Sequence, residues 1–454
     1  MATGVPKKSR SSKDNIQISY KTKTLTSDIL KTLPADVRSF IDQPVDLYSN
    51  RLYYGDNLGI LAHLLGDKSV CRQVRLIYID PPFSTKSTFL SRKQKHAYED
   101  TKSGVEFVEF LRKRLILLRE LLAENGSIYL HLDEKMVFHI KLIMDEIFGS
   151  NNYRNCIIRK KCNPKNYTRK TYGNVSDFIL FYTKSSKYLW NRPFEPWTEE
   201  RSKEYQYIEP ETGRRFMKVP IHAPGVRNGE TGKPWREMLP PPGKHWQYLP
   251  AKLNEMDARG EIFWSSNGNP RRKVYLDENP GIGVQDIWMN FKDAHNQNIK
   301  ITGYPTEKNP DILKRIIAAS SDPGDLVLDS FSGSGTTLAV ASQLKRRWIG
   351  VDNSLEAIKT TLERFKNGSR PMGDFVKKKK TVKKKPKTDR NSDKQISLFN
   401  SLNPDKKNGD KNKIHKPISD FAFISDIKKL DEIDSKVFEE WIQDGKNLPG
   451  LKSE

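Results

Sequence analysis

The sequence of 454 residues has little cysteine and no long hydrophobic run. Its three cysteines, Cys71, Cys156 and Cys162, are an odd number without a C-x-x-C pair, which argues against a disulfide framework or a cysteine-built zinc site. No stretch of about 18 uninterrupted apolar residues is present, so we expect no membrane span. The polar, basic residues 1–15 lack the apolar core of a secretory signal. These absences favour a chain in a reducing cytoplasm, and we identify no metal site.

Acidic residues are outnumbered, since Lys and Arg total 79 against 56 Asp and Glu, a formal net charge of +23. Such an excess favours polyanionic partners, because cations placed near phosphates release condensed counterions. Close to half of the excess lies in Lys377–Lys416, which has 15 Lys and Arg but 4 Asp and Glu. This low-complexity stretch has no means of burying a core, and we expect it to be disordered. Whether it tethers DNA or is a solubilising linker stays open.

From Leu52 onward the apolar pattern alternates between strand-like and helix-like segments. Val74–Ile79 and Ser127–Leu132 are typical of strands, and Val105–Leu122 and Glu134–Phe148 have the spacing of helices. Regular periodicity is lost over residues 190–300, which are rich in Pro, Gly and Trp. It returns as a helix over 311–320, a strand over 326–328, a helix over 337–344, a strand over 348–351 and a helix over 355–365. We predict one doubly wound α/β domain interrupted by an irregular insertion.

The tetrapeptide Asp80-Pro81-Pro82-Phe83 follows the first of these strands, where open α/β sheets place ligands. An exocyclic amine of a nucleobase is a poor nucleophile, because its lone pair is conjugated into the ring. The Asp80 carboxylate and the Pro81 carbonyl can each accept one of its N–H bonds, which frees the lone pair to attack a methyl group. Pro81 and Pro82 remove N–H donors from the loop, and Phe83 offers a flat face to an extruded base. The alternative is a solvent-exposed Pro-Pro turn after a strand.

A second strand-turn-helix motif is Asp329-Ser330-Phe331-Ser332-Gly333-Ser334-Gly335-Thr336-Thr337. Gly333 and Gly335 allow the backbone to pass close to a cofactor and to turn sharply into a helix. Asp352 ends the next predicted strand, where a carboxylate that binds ribose hydroxyls is expected. A nicotinamide dinucleotide site is disfavoured because Leu338 stands where G-x-G-x-x-G has its third glycine. A P-loop is disfavoured because this turn lacks Gly-Lys-Ser/Thr.

Together these motifs resemble the amino-methyltransferases of DNA, specifically their permuted β group. In that group D-P-P-[YF] precedes F-x-G-x-G-T, and the target-recognition region lies between them. Here Asp80–Phe83 precedes Phe331–Thr336 in the same order. Gly303–Lys308 is similar to the family's cofactor-pocket element H-P-T-[QE]-K, with Tyr304 in place of the commoner His. Gly55-Asp56-Asn57 resembles its acidic turn at the adenine of the cofactor, and the resemblance spans residues 50 to 368.

The resemblance implies a mostly parallel, seven-stranded, Rossmann-like sheet that binds S-adenosylmethionine. Its implied cofactor-binding residues are Asp56, Thr306, Lys308, Asp329, Phe331, Gly333, Gly335, Thr336 and Asp352. We expect an N-terminal extension (1–50) with a short helix near 27–41, a catalytic half (51–189), a target-recognition insertion (190–300), a cofactor-binding half (301–368), a basic flexible linker (369–417) and a C-terminal helical segment (418–454).

The implied reaction is site-specific methylation of adenine N6 in duplex DNA, by base flipping and direct in-line transfer. Asp80 favours adenine, because cytosine-N4 enzymes more often carry Ser at this position, and cytosine N4 stays open as the alternative. A cytosine-C5 mechanism is disfavoured, since it needs a cysteine beside a proline and none of the three cysteines has an adjacent proline. Methylation of RNA or of a protein glutamine, and a silent DNA-specificity subunit, are less favoured. Glutamine enzymes carry Asn in place of Asp80 and place the Gly-rich element first.

Partners follow partly from composition and partly from the resemblance. Double-stranded DNA is the expected partner, in the cytoplasm of a prokaryote or phage host and associated with the nucleoid. A restriction-system subunit and a homodimer stay open, and Gln395–Phe399 resembles the peptide by which bacterial proteins bind the sliding clamp. The expected DNA contacts are Arg227, Arg236, Arg271, Arg272 and Lys273, which interleave with tryptophans. For any single tryptophan of this region, the core of a small domain is the favoured position.

Overall fold

Two compact units make up the chain in the computed structural model, one of residues 1–191 with 286–454 and the other of residues 192–285. The structure describes residues 18–40, 50–82, 88–90, 96–99, 104–163, 170–197, 203–278, 281–291, 307–368 and 418–433. The strands, in chain order, are β1 (Val37–Ser39), β2 (Arg51–Tyr54), β3 (Val74–Ile79), β4 (Thr88–Leu90), β5 (His96–Glu99), β6 (Leu122–Leu132), β7 (Tyr153–Lys160), β8 (Ser176–Thr183), β9 (Phe194–Glu195), β10 (Tyr207–Ile208), β11 (Arg215–Pro220), β12 (His222–Pro224), β13 (Lys244–Trp246), β14 (Ile262–Trp264), β15 (Pro270–Tyr275), β16 (Ile282–Gly283), β17 (Ile287–Trp288), β18 (Leu326–Asp329), β19 (Arg347–Asp352) and β20 (Ala422–Asp426). The helices are α1 (Thr26–Ile29), α2 (Asn57–Gly66), α3 (Val105–Leu121), α4 (Val137–Phe148), α5 (Pro250–Ala258), α6 (Pro310–Ser320), α7 (Thr336–Gln343) and α8 (Leu355–Asn367).

The first unit is built on one large sheet with the strand order β1-β20-β2-β19-β18-β3-β6-β8-β7-β17. The run from β20 to β6 is parallel, β8 is antiparallel to both of its neighbours, and β17 is parallel to β7. Parallel strands buried on both faces need long apolar runs, and β3 and β18 have them. The α/β class expected from the sequence is therefore confirmed.

The sheet has ten strands among the described residues, whereas the resemblance implied seven. The seven from β2 to β7 form its centre, β20 and β1 extend it beyond β2, and β17 extends it beyond β7. Ile287 and Trp288 pair with Ile158 and Arg159 of β7. The first unit therefore resumes at residue 286, and the predicted insertion end at residue 300 was too late.

The segment from residue 418 was predicted to be helical, and this prediction is wrong for its described part. Ala422–Asp426 is a strand parallel to β2, followed by a 3₁₀ turn over Ile427–Glu432. All five strand residues are buried. A segment that is buried on both faces has no polar face exposed to solvent. It is therefore more typical of a covered strand than of an amphipathic helix.

The short helix predicted over residues 27–41 is mostly absent. The helix α1 covers four residues only, and Val37–Ser39 then pairs antiparallel with β20. Pro34 prevents a helix from continuing across the predicted range, because the residue before a proline is driven away from helical dihedral angles. Part of the predicted N-terminal extension thus joins the main sheet. No helix of the described residues is long and apolar enough to cross a membrane.

The second unit contains a four-stranded antiparallel sheet with the order β10-β11-β15-β14. Its core includes Trp235 and Trp246, both almost fully buried, with Leu253 and Met256 of α5. Trp264 packs against the same cluster and stacks on Trp235 at 5.4 Å between ring centroids. The expectation that these tryptophans belong to a small core is confirmed.

Candidate cofactor and catalytic site

A pocket of about 410 Å³ opens in the first unit where β2, β3, β18 and β19 end. Open α/β sheets bind ligands at the carboxyl ends of their strands, and the two sequence motifs meet there. The residues lining the pocket are Asp56, Asn57, Tyr78, Asp80, Pro81, Pro82, Phe110, Arg114, Glu307, Lys308, Leu313, Asp329, Ser330, Phe331, Ser332, Gly333, Ser334, Thr336, Thr337, Asp352, Asn353 and Ser354.

Asp80 follows β3 directly and points its carboxylate into this pocket. Its Oδ2 lies 2.8 Å from the Nζ atom of Lys308, while its Oδ1 is buried without a hydrogen-bond partner among the described residues. Pro81 is buried and Pro82 half-buried, and neither has an N–H to donate. A buried acceptor without a donor is costly, so this atom is suited to a ligand that brings an N–H. Phe83 lies outside the described residues.

The Gly-rich turn after β18 is held by two carboxylates. Asp329 accepts hydrogen bonds from the Phe331 amide at 3.0 Å and the Thr337 hydroxyl at 2.6 Å. Asp352, at the end of β19, accepts from the Gly333 amide at 2.7 Å and the Ser354 amide at 2.9 Å. Because these bonds use part of each carboxylate, the expected ribose-binding Asp352 also fixes the shape of the turn.

Gly335 is required by both backbone and space. Its φ is +70°, a left-handed conformation, and a Cβ built there would lie 2.7 Å from the Thr361 side chain. Gly333 has a φ of +51° and shares the same turn. Thr336 then begins α7. Gly333 therefore brings bare backbone to the pocket wall, and Gly335 allows the chain to turn from there into α7.

The two carboxyl groups of this turn resist ionisation. Burial raises the pKa of Asp329 to about 7, with the charges of Asp80 and Asp352 adding to it. Burial likewise raises the pKa of Asp352 to about 6. A ligand with positive charge would stabilise the ionised form of both groups.

At the opposite end of the pocket, Asp56 caps α2 and pairs with Arg114 of α3. The Asp56 carboxylate accepts from the Leu58 amide at 3.2 Å and lies 2.7 Å from Nη2 of Arg114. Arg114 also binds the side chain of Asn57, and its guanidinium lies 3.6 Å from the centroid of the Phe110 ring. Burial lowers the pKa of Arg114 to about 10. The acidic turn predicted at Asp56 thus forms part of the pocket.

Sequence reasoning missed Arg114 and Phe110. A signal existed for Arg114, because it lies three residues after Leu111 and four before Leu118, inside the apolar stripe of α3. A cation at such a position needs a buried partner. Its partner, Asp56, lies 58 residues away in the chain, which local periodicity cannot reveal.

Lys308 and Thr306 were both expected to contact the cofactor. Thr306 lies outside the described residues. Lys308 lines the pocket, yet its ammonium group lies on the Asp80 carboxylate. The neighbouring Glu307 is buried and binds Arg364 of α8. Lys308 therefore lines the pocket and also forms an ion pair with Asp80.

The charge of the lining favours a positively charged ligand. Apart from Glu307, which Arg364 neutralises, four carboxyl groups (Asp56, Asp80, Asp329 and Asp352) line the pocket with two cations (Arg114 and Lys308). A dinucleotide would bring a pyrophosphate dianion into this acidic site, whereas S-adenosylmethionine brings a sulfonium and an ammonium against one carboxylate. Among the described residues, no group of three or more His, Cys, Asp or Glu could hold a metal ion.

In the second unit, the five basic residues predicted to contact DNA fall into two classes. Arg236 pairs with Asp257 at 2.6 Å, Lys273 pairs with Glu209 at 2.7 Å, and Arg272 binds the hydroxyl of Tyr248. These three therefore have structural partners inside the unit. Arg227 and Arg271 are exposed and have no ion-pair partner among the described residues.

Over residues 74–364 the sequence matches the DNA methylase family, which is more than half of the chain. It is 50% identical over 328 residues, 72% of each chain, to the type II methyltransferase M.EcaI of Enterobacter cloacae. The chain belongs to the DNA methylase family. This methylase is also 28% identical over 334 residues, 63% of its chain and 49% of the other, to the StyLTI Mod subunit of a type III restriction-modification enzyme of Salmonella typhimurium. A solved complex of M1.HpyAVI with SAM has 18% identity and a TM-score of 0.38, and covers 69% of this chain and 98% of that one.

The cofactor of this DNA methylase is S-adenosylmethionine, and the residues of the pocket fit it. The bare backbone at Gly333 allows close approach, and the acidic lining suits a sulfonium cation.

Replacing Gly335 with Ala should weaken cofactor binding at least about tenfold, or about 1.4 kcal/mol. The added Cβ meets Thr361, and the turn must move away from its position. Isothermal titration with S-adenosylmethionine measures the effect. Gly324→Ala is the matched control, because its φ of +88° imposes the same strain without any atom near the new Cβ. Equal affinities for the two variants would contradict this account of the turn.

Cofactor affinity should rise as the pH increases from about 5 to about 7. In the cofactor-free protein the raised pKa values of Asp329 and Asp352 keep both groups largely protonated at the lower pH. A cationic ligand binds the ionised carboxylates more tightly, so binding should release protons. For each proton released, the affinity should rise by at most about tenfold per pH unit. Titration calorimetry in buffers of different ionisation enthalpy counts these protons. The dependence should flatten in Asp329→Asn, and an affinity that falls with pH would contradict the prediction.

Proposed function

We propose that this DNA methylase transfers the methyl group of S-adenosylmethionine to N6 of adenine in duplex DNA. The observation that carries the proposal is the Oδ1 atom of Asp80, a buried acceptor without a partner at the end of β3 among the described residues. An amino group presented to this atom would satisfy it by donating an N–H. The cofactor pocket continues directly from it.

In the proposed mechanism, two hydrogen-bond acceptors of the protein orient the amine of the target base. The carboxylate of Asp80 accepts one N–H and the carbonyl of Pro81 accepts the other, which draws the nitrogen towards tetrahedral geometry. S-adenosylmethionine supplies an electrophilic methyl group. The C–N bond forms as the C–S bond breaks, the bonding pair stays on sulfur, and water takes the proton released by the methylated amine. Positioning and electrostatics supply the catalysis, since no covalent enzyme intermediate is needed.

The choice of adenine rests on residue 80. Aspartate is typical of adenine-N6 enzymes at this position, whereas cytosine-N4 enzymes more often carry serine. Phe83 would stack on the flipped base. Both target amines carry two N–H bonds, so the same acceptor pair serves either reaction, and only the product distinguishes them.

Site specificity within a restriction-modification system is the biological context that we propose. Relatives carry the names type II methyltransferase and type III restriction-modification Mod subunit. The unit of residues 192–285 would read the DNA sequence, as its position between the two motifs suggests. Its exposed Arg227 and Arg271 would contact phosphates or bases.

The chain, expressed in a host without DNA methylases, should produce N6-methyladenine at one short sequence motif. Mass spectrometry of nucleosides identifies the base, and long-read sequencing locates the motif. Asp80→Asn keeps the shape of the side chain but replaces one acceptor oxygen with a donor, so methylation should be lost while S-adenosylmethionine still binds. N4-methylcytosine in the wild-type sample would overturn the choice of base.

Arg271→Ala and Arg227→Ala should each weaken DNA binding. Each should also lower the slope of log Kd against the logarithm of salt concentration by about one for each phosphate that the arginine binds. Both side chains are exposed without an ion pair in the described structure. Fluorescence anisotropy with a duplex at several salt concentrations measures this. Arg259→Ala is the control, because Arg259 is similarly exposed but pairs with Glu261 at 2.6 Å. A change in affinity for Arg259→Ala as large as for the other two would refute the assignment.

A further inference from the structure

Lys308 reaches Asp80 from a distant part of the chain. It lies just before α6, whose N-cap is Asn309, and its Nζ is 2.8 Å from Oδ2 of Asp80. The two side chains are only 10% and 17% exposed. An ion pair so poorly exposed to water is screened less than a surface pair, so it constrains both side chains.

The two oxygens of Asp80 are thereby made different. Oδ2 faces the ammonium group, and Oδ1 is buried with no partner among the described residues. The terminal torsion of an unconstrained aspartate varies broadly, so its two oxygens exchange positions and their lone pairs have no fixed direction. A carboxylate held by one oxygen presents the other in a fixed direction.

A second buried carboxylate near Lys308 is already neutralised by other cations. Asp177 lies 3.3 Å from Arg159 and 2.9 Å from Lys161, and its Oδ2 is 3.5 Å from Nε2 of His131. Burial alone would raise the pKa of Asp177, but the nearby His131 ring and the charges of Lys308 and Lys161 hold it low.

His131 extends this cluster to β3. Its Nδ1 lies 2.9 Å from the hydroxyl of Tyr78, two residues before Asp80. Burial and the charge of Lys308 lower the pKa of His131, which favours the neutral ring. Buried polar groups near Lys308 therefore include the Tyr78–His131 hydrogen bond and the ion pairs of Asp177.

We propose that Lys308 is a positioning residue for Asp80, which occupies Oδ2 so that Oδ1 alone accepts the N–H of the target amine. The inference rests on the proposed role of Asp80 as amine acceptor. It differs from the expectation drawn from the resemblance, in which Lys308 contacts the cofactor. In-line transfer depends on the direction of the nitrogen lone pair, and a misplacement of about 1 Å can cost about a hundredfold in rate.

The test compares Lys308→Met, Lys308→Arg and Lys314→Met in the full chain. Lys314 lies on α6, exposed and paired with Asp311, and serves as the matched control. Single-turnover methylation of duplex DNA gives the rate constant, titration calorimetry without DNA gives the Kd for S-adenosylmethionine, and thermal unfolding checks the fold.

We expect Lys308→Met to lower the rate constant by roughly tenfold to a hundredfold, with the Kd for S-adenosylmethionine and the KM for DNA within about twofold of wild type. Lys308→Arg should restore part of the rate, because a guanidinium also binds a carboxylate, and Lys314→Met should match the wild type. A Kd weakened about tenfold or more with an unchanged saturated rate would overturn the proposal in favour of a cofactor ligand.

An unchanged rate in Lys308→Met, beside loss of activity in Asp80→Asn, would overturn the positioning role and leave the proposed function intact. Failure of the proposed function appears separately, as a wild-type product other than N6-methyladenine. If that product is N4-methylcytosine, the same rate comparison still decides the role of Lys308. If Lys308→Met unfolds, a rate below wild type with an unchanged Kd in Lys308→Arg supports the proposal, and a full wild-type rate in Lys308→Ala, which cannot bind Oδ2, overturns it.

Discussion

The pocket depends on holding several carboxylates close together in a poorly solvated site. Burial raises the pKa of Asp329 to about 7 and of Asp352 to about 6, because a poorly solvated site disfavours the ionised carboxylates. Each of these two is stabilised by backbone amides, whereas Asp56 and Asp80 are paired with Arg114 and Lys308. The cations thus stand at opposite ends, and the middle stays acidic. The positive charge of a sulfonium cofactor would offset the negative charge of these carboxylates. Charge complementarity therefore relates the acidic residues of the pocket to the cofactor.

The sheet brings together residues that are far apart in sequence. Asp80 and Asp329 end adjacent parallel strands, because β18 pairs with β3 from Leu326↔Val74 to Leu328↔Ile77. The whole second unit, residues 192–285, lies between them in the chain. It leaves the first unit after β8 and the chain rejoins the sheet at β17, far from β3 and β18 in the strand order. An insertion at that side of the sheet leaves the pairing of the two motif strands intact.

The parts of the site that the sequence predicted are local. Asp80 and the turn with Gly333 and Gly335 are each encoded within a few residues of a strand end, so pattern and chemistry suffice to find them. The pairs Arg114–Asp56 and Lys308–Asp80 join separate segments, and no local spacing contains them. The same limit explains the errors at β20, where a short apolar run does not distinguish a covered strand from a buried helix. The family's roles for individual residues stay predictions until the variants are measured.

The strand β20 shows why residues far beyond the motifs matter to the pocket. It covers the edge of β2, the strand that leads into Asp56, and an uncovered edge would leave its backbone groups unpaired. A Cβ on Gly55 would lie 2.8 Å from Asp426, so glycine allows the chain to turn there beneath the last residue of β20. Phe421 packs on Trp348 and Phe365 next to this edge, and the Ile418 amide donates to the Phe365 carbonyl at 3.1 Å. Residues 369–417 therefore connect two elements packed against each other. Because β20 packs against the turn that leads to Asp56, this strand supports one wall of the pocket.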